Sequence, residues 1–349
     1  IDLEVNGSLI SEEEMSLDLK ADLHRLDVKL IEGFAGGELQ KTSGSILAHT
    51  SVKGLLNDIR YEGSVAFNQA AFTVTQLNTQ FSLPNDRVTI DNDGLVFKAF
   101  NIVDGNGNPI QIDGKIDTRN MFDPSFDLRV VANNFQPLNS TRDDNDLFYG
   151  KAFFDADIKL GGKVSLPKIN AQTKLLKGTD ITFIVPESQA DIEERKGLVT
   201  FANMKDTLNV ILASDKQVEE LFGFKGADIV GYLEIDRSTK FQIVIDERSG
   251  DKIQIQGEAK LNAEVTPNGI VTLSGNYEVE SGFYYLNFYG LAKRKFELVS
   301  GSRIVWSGDP LAGELDLKAK YSLKTSASDL MTDQLAQSDA TTLTKYKQA

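Results

Sequence analysis

The chain has 349 residues, 41% hydrophobic and 25% charged, with a formal net charge of −14; this balance supports a buried core and excludes wholesale disorder. Such a charge repels a phosphate backbone or an anionic membrane surface, so nucleic acid is not an expected partner. With no Cys and only His24 and His49, disulfides, thiol chemistry, most catalytic triads and the usual metal centres drop out, and no enzyme, metal or cofactor is expected.

The first residues, Ile1 to Val5, already alternate as a strand does, and no Met precedes them, so the chain reads as a piece of a longer protein. No run approaches the roughly 18 to 20 apolar residues of a membrane span, and no signal peptide begins the chain. His24 lies on the polar side of an alternating segment and reads as a solvated side chain; His49 has no acid or Ser tied to it by sequence. Ile59, Tyr61, Val65 and Phe67 then alternate with Arg60, Glu62, Ser64 and Asn68. Asp91-Asn92-Asp93-Gly94 and Asp104-Gly105-Asn106-Gly107-Asn108 have turn chemistry. The second is not a phosphate loop, because it lacks a third Gly, a Lys and a following helix. Ile110, Ile112 and Ile116 form the next apolar set, followed by Phe126 to Ala132 and by Ala152 to Leu160. Between the last two, Asp143-Asp144-Asn145-Asp146 reads as an acidic turn, since it lacks the Gly and distal Glu of an EF-hand loop.

The rhythm breaks over 186–224. Ser214 with Gln217 has capping-box spacing, Val218, Leu221 and Phe222 fall on one helical face, and Gly223 follows. One or two short inserted helices are expected there. Alternation then returns at its clearest. Ile253, Ile255, Gly257, Ala259, Leu261, Ala263 and Val265 share one face of a segment that, at about 3.3 Å per residue, extends roughly 45 Å. Pro267-Asn268-Gly269 turns the chain, and Val271, Leu273, Gly275, Tyr277 and Val279 return on the same face. Phe283 to Tyr289 places aromatic bulk on both faces of a strand, and core packing is the expected role. Lys293-Arg294-Lys295 reads as a solvated basic turn. Leu315, Leu317, Ala319 and Tyr321 form the last strand, and 326–349 is a polar tail.

Strands joined by short Gly, Asn and Asp turns imply an all-β antiparallel meander with one apolar face. That face is either packed as a core or left open as a groove, and periodicity does not separate the two.

The run Gly250 to Leu261 with Gly275 to Tyr284, Phe296-Glu297-Leu298, then Gly301-Ser302-Arg303-Ile304-Val305 ahead of Trp306-Ser307-Gly308-Asp309-Pro310, and Leu315 to Tyr321, resembles the C-terminal domain of TamB translocation and assembly proteins, of the Bacteroidota type. The match is strongest over about 225–325, and the Trp306 to Pro310 turn is its most diagnostic piece. The resemblance implies 1–185 as an elongated repeat-like sheet, 186–224 as an insertion, 225–325 as the TamB C-terminal sheet and 326–349 as a tail. It implies a curved, U-shaped sheet ("β-taco") in the periplasm, anchored in the inner membrane by an N-terminal helix outside this chain and reaching the outer membrane. Phospholipid acyl chains and a barrel of the TamA or BamA class are the implied partners. The implied lumen lining is Ile253, Ile255, Ala259, Leu261, Ala263, Val265, Val271, Leu273, Tyr277 and Val279. A structural scaffold that docks a barrel by strand addition, without moving lipid, stays open as the alternative.

Overall fold

A computed structural model of the chain describes residues 1–11, 15–185, 226–288 and 292–322. Among the described residues, twenty strands form one sheet. The first are β1 (Asp2–Ser11), β2 (Met15–Asp27), β3 (Leu39–Leu55), β4 (Asp58–Val74), β5 (Thr79–Leu83) and β6 (Arg87–Asp91). Then come β7 (Gly94–Val103), β8 (Pro109–Asp117), β9 (Ser125–Ser140), β10 (Phe148–Lys163), β11 (Leu166–Leu175) and β12 (Asp180–Ile184). The remainder are β13 (Asp228–Ile235), β14 (Lys240–Asp246), β15 (Asp251–Val265), β16 (Val271–Phe288), β17 (Ala292–Leu298), β18 (Ser302–Gly308), β19 (Glu314–Asp316) and β20 (Ala319–Lys320). A one-turn helix, α1 (Lys29–Glu32), and a 3-10 turn at Thr75–Leu77 join strands. The helices expected at 186–224 and the tail at 326–349 lie outside the described residues.

Neighbouring strands pair antiparallel, as hairpin chemistry demands, with one exception. β11 and β12 pair in parallel with β13 and β14. The meander is therefore interrupted once, and the sheet is mixed. The physical reason is the long connection after β12: a tight turn reverses the chain, whereas a connection of this length lets it re-enter in the same direction. The same pairing makes the sheet continuous from the N-terminal segment into the C-terminal one.

Register puts apolar side chains on one face throughout. One row of directly opposed residues runs Leu3, Leu23, Ala48, Val65, Val88, Phe97, Gly114, Leu128, Leu160, Ile169, Ile229, Val265 and Val271, from β1 to β16, and every member is apolar or Gly. A second row, Phe135, Phe154, Leu175, Ile235, Ala259, Tyr277, Ile304 and Leu315, crosses β9 to β19. On the opposite face the equivalent row begins Glu4, Asp22, His49, Ser64 and Thr89. A one-residue slip at any pairing would turn a strand's apolar set to the wet side.

Slips do occur, at different levels along the strands. The apolar face steps by three instead of two at Leu23 to Leu26, Phe67 to Ala70, Phe97 to Phe100, Ala132 to Phe135 and Val279 to Gly282. Each step coincides with a register shift or with a break in the neighbouring strand. Gln69, Ala99 and Asn134 occupy these steps with φ of 49, 48 and 48°. Side-chain carboxylates hold two of them. The Ala99 amide donates to Asp113 Oδ1 at 2.7 Å and the Asn134 amide to Asp155 Oδ1 at 2.7 Å. At a further bulge, in β3, the Thr42 amide donates to Glu32 Oε2 at 3.0 Å. Bulges sharpen local twist and bend the strands that carry them. Phe81 of β5 and Phe135 of β9 stack at 5.7 Å and 9°. In a flat sheet the three spacings between these strands total about 14 Å. Curvature closes that distance.

These pinned bulges make stability sensitive to acid. Hydrogen bonds from the Ala99 amide and Gln111 hold the Asp113 carboxyl below its usual range, and the Thr42 hydroxyl and amide do the same for Glu32. A carboxyl whose pKa is depressed on folding contributes stability above its unfolded value, and that contribution is lost as pH falls through the folded value. We expect urea midpoints to fall between about pH 4.5 and pH 2, where unfolded carboxyls titrate first. The slope should be shallower in an Asp113→Asn, Glu32→Gln variant. An unchanged slope in that variant refutes the role given to these carboxylates.

Candidate functional site

β15 and β16 place the residues expected to line a lumen as their alternation requires. Ile253, Ile255, Ala259, Leu261, Val265, Tyr277 and Val279 are buried, at 2 to 8% exposure. Ala263, Val271 and Leu273 are half-buried. All ten share one face. Six of them, Ile253, Ile255, Ala259, Leu261, Tyr277 and Val279, form one cluster with Ile235, Leu298 and Ile304, and Leu273, Phe241, Trp306 and Leu317 pack against it. Phe241 meets Tyr277 edge-on at 6.2 Å. The Tyr277 hydroxyl has no hydrogen-bond partner, and burial pushes its pKa well above the usual phenol range. The face is thus packed over β15 and β16.

At the first edge of the sheet the same face is open. Leu3, Val5 and Leu9 are 57, 56 and 60% exposed and stand opposite Leu23, Ala21 and Leu17. The far edge behaves alike, with Leu315 at 64%. Edge strands have a neighbour on one side only, so their inward side chains stay wet. Alternation over Ile1 to Val5 marked a strand, but exposure depends on neighbours, so Leu9, Leu17 and Leu19 were missed as candidate lining.

The Trp306 to Pro310 turn is built from its own hydrogen bonds. Trp306 stands opposite Gly275, inside the sheet, and its indole N–H donates to the Pro310 carbonyl at 2.9 Å. Asp309 Oδ1 accepts from the Leu311 amide at 2.8 Å, and a Cβ at Gly313 would meet the indole nitrogen at 2.7 Å. Ser307 pairs with Ser274 and Gly308 with Leu273. The loop folds over the indole, and what it visibly does is close the end of β18 against the apolar face.

Phe283 and Tyr285 do not extend that face. The step at Val279 to Gly282 turns them outward, under Lys295 Nζ at 3.6 and 5.3 Å from the ring centres. Tyr284 remains inward with the cluster. Lys293, Arg294 and Lys295 are all exposed and lie in β17 rather than in a turn, and Lys295 packs on aromatic rings.

The remaining candidates stay on the polar face or in turns. His24 contacts Glu4 at 3.5 Å, and His49 is hydrogen-bonded to Asp22, a partner that the sequence did not reveal. Asp144 Oδ2 accepts from the Thr141 amide at 2.7 Å, and Asp104 Oδ1 from the Asn106 and Asn108 amides at 2.8 Å each, so these acids close their own turns. Asp91 Oδ1 likewise accepts from the Asp93 amide at 2.9 Å. Among the described residues no group of three or more His, Asp or Glu is placed to hold a metal ion, and no helix is long and apolar enough to cross a membrane. One cleft of about 540 Å³ is lined by Ser51, Lys53, Arg60, Tyr61, Glu62, Asp91, Asn92 and Asp93.

A protein-family model described as the TamB C-terminal domain matches residues 98–344. The match reaches well upstream of 225 and on into the polar tail. No curated protein and no solved structure matches.

Proposed function

We propose, because this chain belongs to the TamB C-terminal domain family, that its apolar sheet face receives phospholipid acyl chains and conveys them between the inner and outer membranes. Family membership supports a role in outer-membrane assembly and in bridging the envelope. The finer reading places the chain in the periplasm as a non-enzymatic, cofactor-free conduit that works with a BamA-type barrel.

One observation supports it above the others: an unbroken apolar row from β1 to β16, with Leu3 at its exposed end. Acyl chains need a continuous dry surface, and this row supplies one across the sheet. The packed residues of β15 and β16 form the narrow part of the path, and the β1 to β3 face its accessible part. Phospholipid should co-purify with the chain and be seen by native mass spectrometry. A Leu9→Asp, Leu19→Asp variant, altered where the face is accessible, should lose it while keeping its circular dichroism. A lipid-free wild type refutes the conduit.

The scaffold reading has its own support. Among the described residues β1 pairs with β2 alone, and a strand paired on one side can take up another strand. Photocrosslinkers in β1 or β19 that capture a barrel protein equally well from lipid-depleted samples would favour it.

A further inference from the structure

Two adjoining hairpin tips form one rigid platform. The β8–β9 loop and the β10–β11 turn are tied by Asp123, whose Oδ1 accepts from the Ser165 amide at 3.0 Å, and by the Val164 amide, which donates to the Pro124 carbonyl at 2.8 Å. Within the loop, Asn120 Oδ1 accepts from the Phe122 amide at 3.2 Å, and Arg119 pairs with Asp117. Despite this order, the platform points apolar side chains outward: Met121 is 81%, Phe122 102% and Val164 52% exposed. A loop held this firmly could shelter a Phe against the sheet beside it; instead it presents one to solvent.

We infer that this platform docks on a zwitterionic lipid bilayer, with Met121, Phe122 and Val164 entering the interface. Shape and charge select the occupant. The apolar side chains crown convex tips, and a fluid interface accepts such tips without needing a matched pocket. Around them each cation sits beside a carboxylate: Arg119 with Asp117, and Lys163 with Asp123 at 3.5 Å. Paired charges of both signs complement a headgroup that bears one phosphate and one ammonium. They give no attraction to an anionic surface, which the −14 of the whole chain repels. The inference is independent of whether the sheet face carries lipid, because the tips lie outside it.

Flotation of the full chain with phosphatidylcholine vesicles tests it. The wild type should float, with little change between low and high salt and weaker binding when phosphatidylglycerol is added. Removing a buried Phe and Met from the interface should weaken binding at least about tenfold in a Met121→Ser, Phe122→Ser variant. The Leu9→Asp, Leu19→Asp variant should float as the wild type does, so loss of the conduit and loss of docking are told apart. A wild type that stays in solution, or a tip variant that floats undiminished, overturns the inference. So does binding only to anionic vesicles.

Discussion

Replacing Leu261 by Ala should lower the stability of the chain by about 3 kcal/mol, whereas Leu9→Ala should change it by less than about 0.5 kcal/mol. Both residues are leucines on the same face of one sheet, and sequence alternation does not rank them. Leu261 is 5% exposed, between β13 and β16, in a cluster that includes Ile235, Ala259, Tyr277 and Ile304. Truncating it removes the transfer energy of the lost methyl groups and leaves a cavity that surrounding strands cannot collapse into without breaking their ladders. Leu9 is 60% exposed on an edge strand and loses little. Urea midpoints at unchanged slope measure both. Equal losses would mean that the face over β15 is no better packed than the edge, which would contradict the core described above.

Gly275→Ala should cost about 2 kcal/mol or more, while Gly308→Ala, on the strand beside it, should be almost neutral. Gly275 has a φ of 133°, and a Cβ there would lie 2.4 Å from the Lys260 carbonyl oxygen and 3.0 Å from Leu261. No real Cβ approaches backbone that closely, so β15 and β16 must part. Gly308 has open space around the same atom. Gly275 also faces Trp306, the single Trp of the chain. The unfolding midpoint should fall in Gly275→Ala, with a red-shifted Trp306 emission as the indole meets water. A Gly275→Ala variant as stable as Gly308→Ala would show that the close approach of β15 and β16 is not required.

Much of the candidate site was legible residue by residue. The Ile253 to Val265 run and its return strand were assigned to one face from alternation, and register agrees for all ten lining candidates. The aromatic segment shows why such reading stops. Counting by two from Val279 puts Phe283 and Tyr285 with the apolar set, yet both face outward, because Glu280 is the extra residue of a bulge. The clue was present as an apolar residue followed by two polar or small ones and then another apolar residue or Gly. The same triplet spacing at Phe67, Phe97 and Ala132 is visible only once the strands lie side by side. His49 tells a similar story, since its partner Asp22 lies on another strand and only register brings the two together.

By itself, then, the sequence determined that this is a β-protein with one dry face, where its hairpins turn, and which residues lie on that face within each unbroken run. These are local matters, settled by a side-chain period of two and by the φ preferences of Pro, Asn and Gly. The tertiary structure decided the rest. It set the parallel step from β11 and β12 to β13 and β14, the bulges that bend the strands, and which parts of the apolar face are packed and which remain open. Each of these depends on what stands beside a strand, and a strand's own residues do not encode its neighbour's position. The difference between Leu261 and Leu9 is that difference of neighbours.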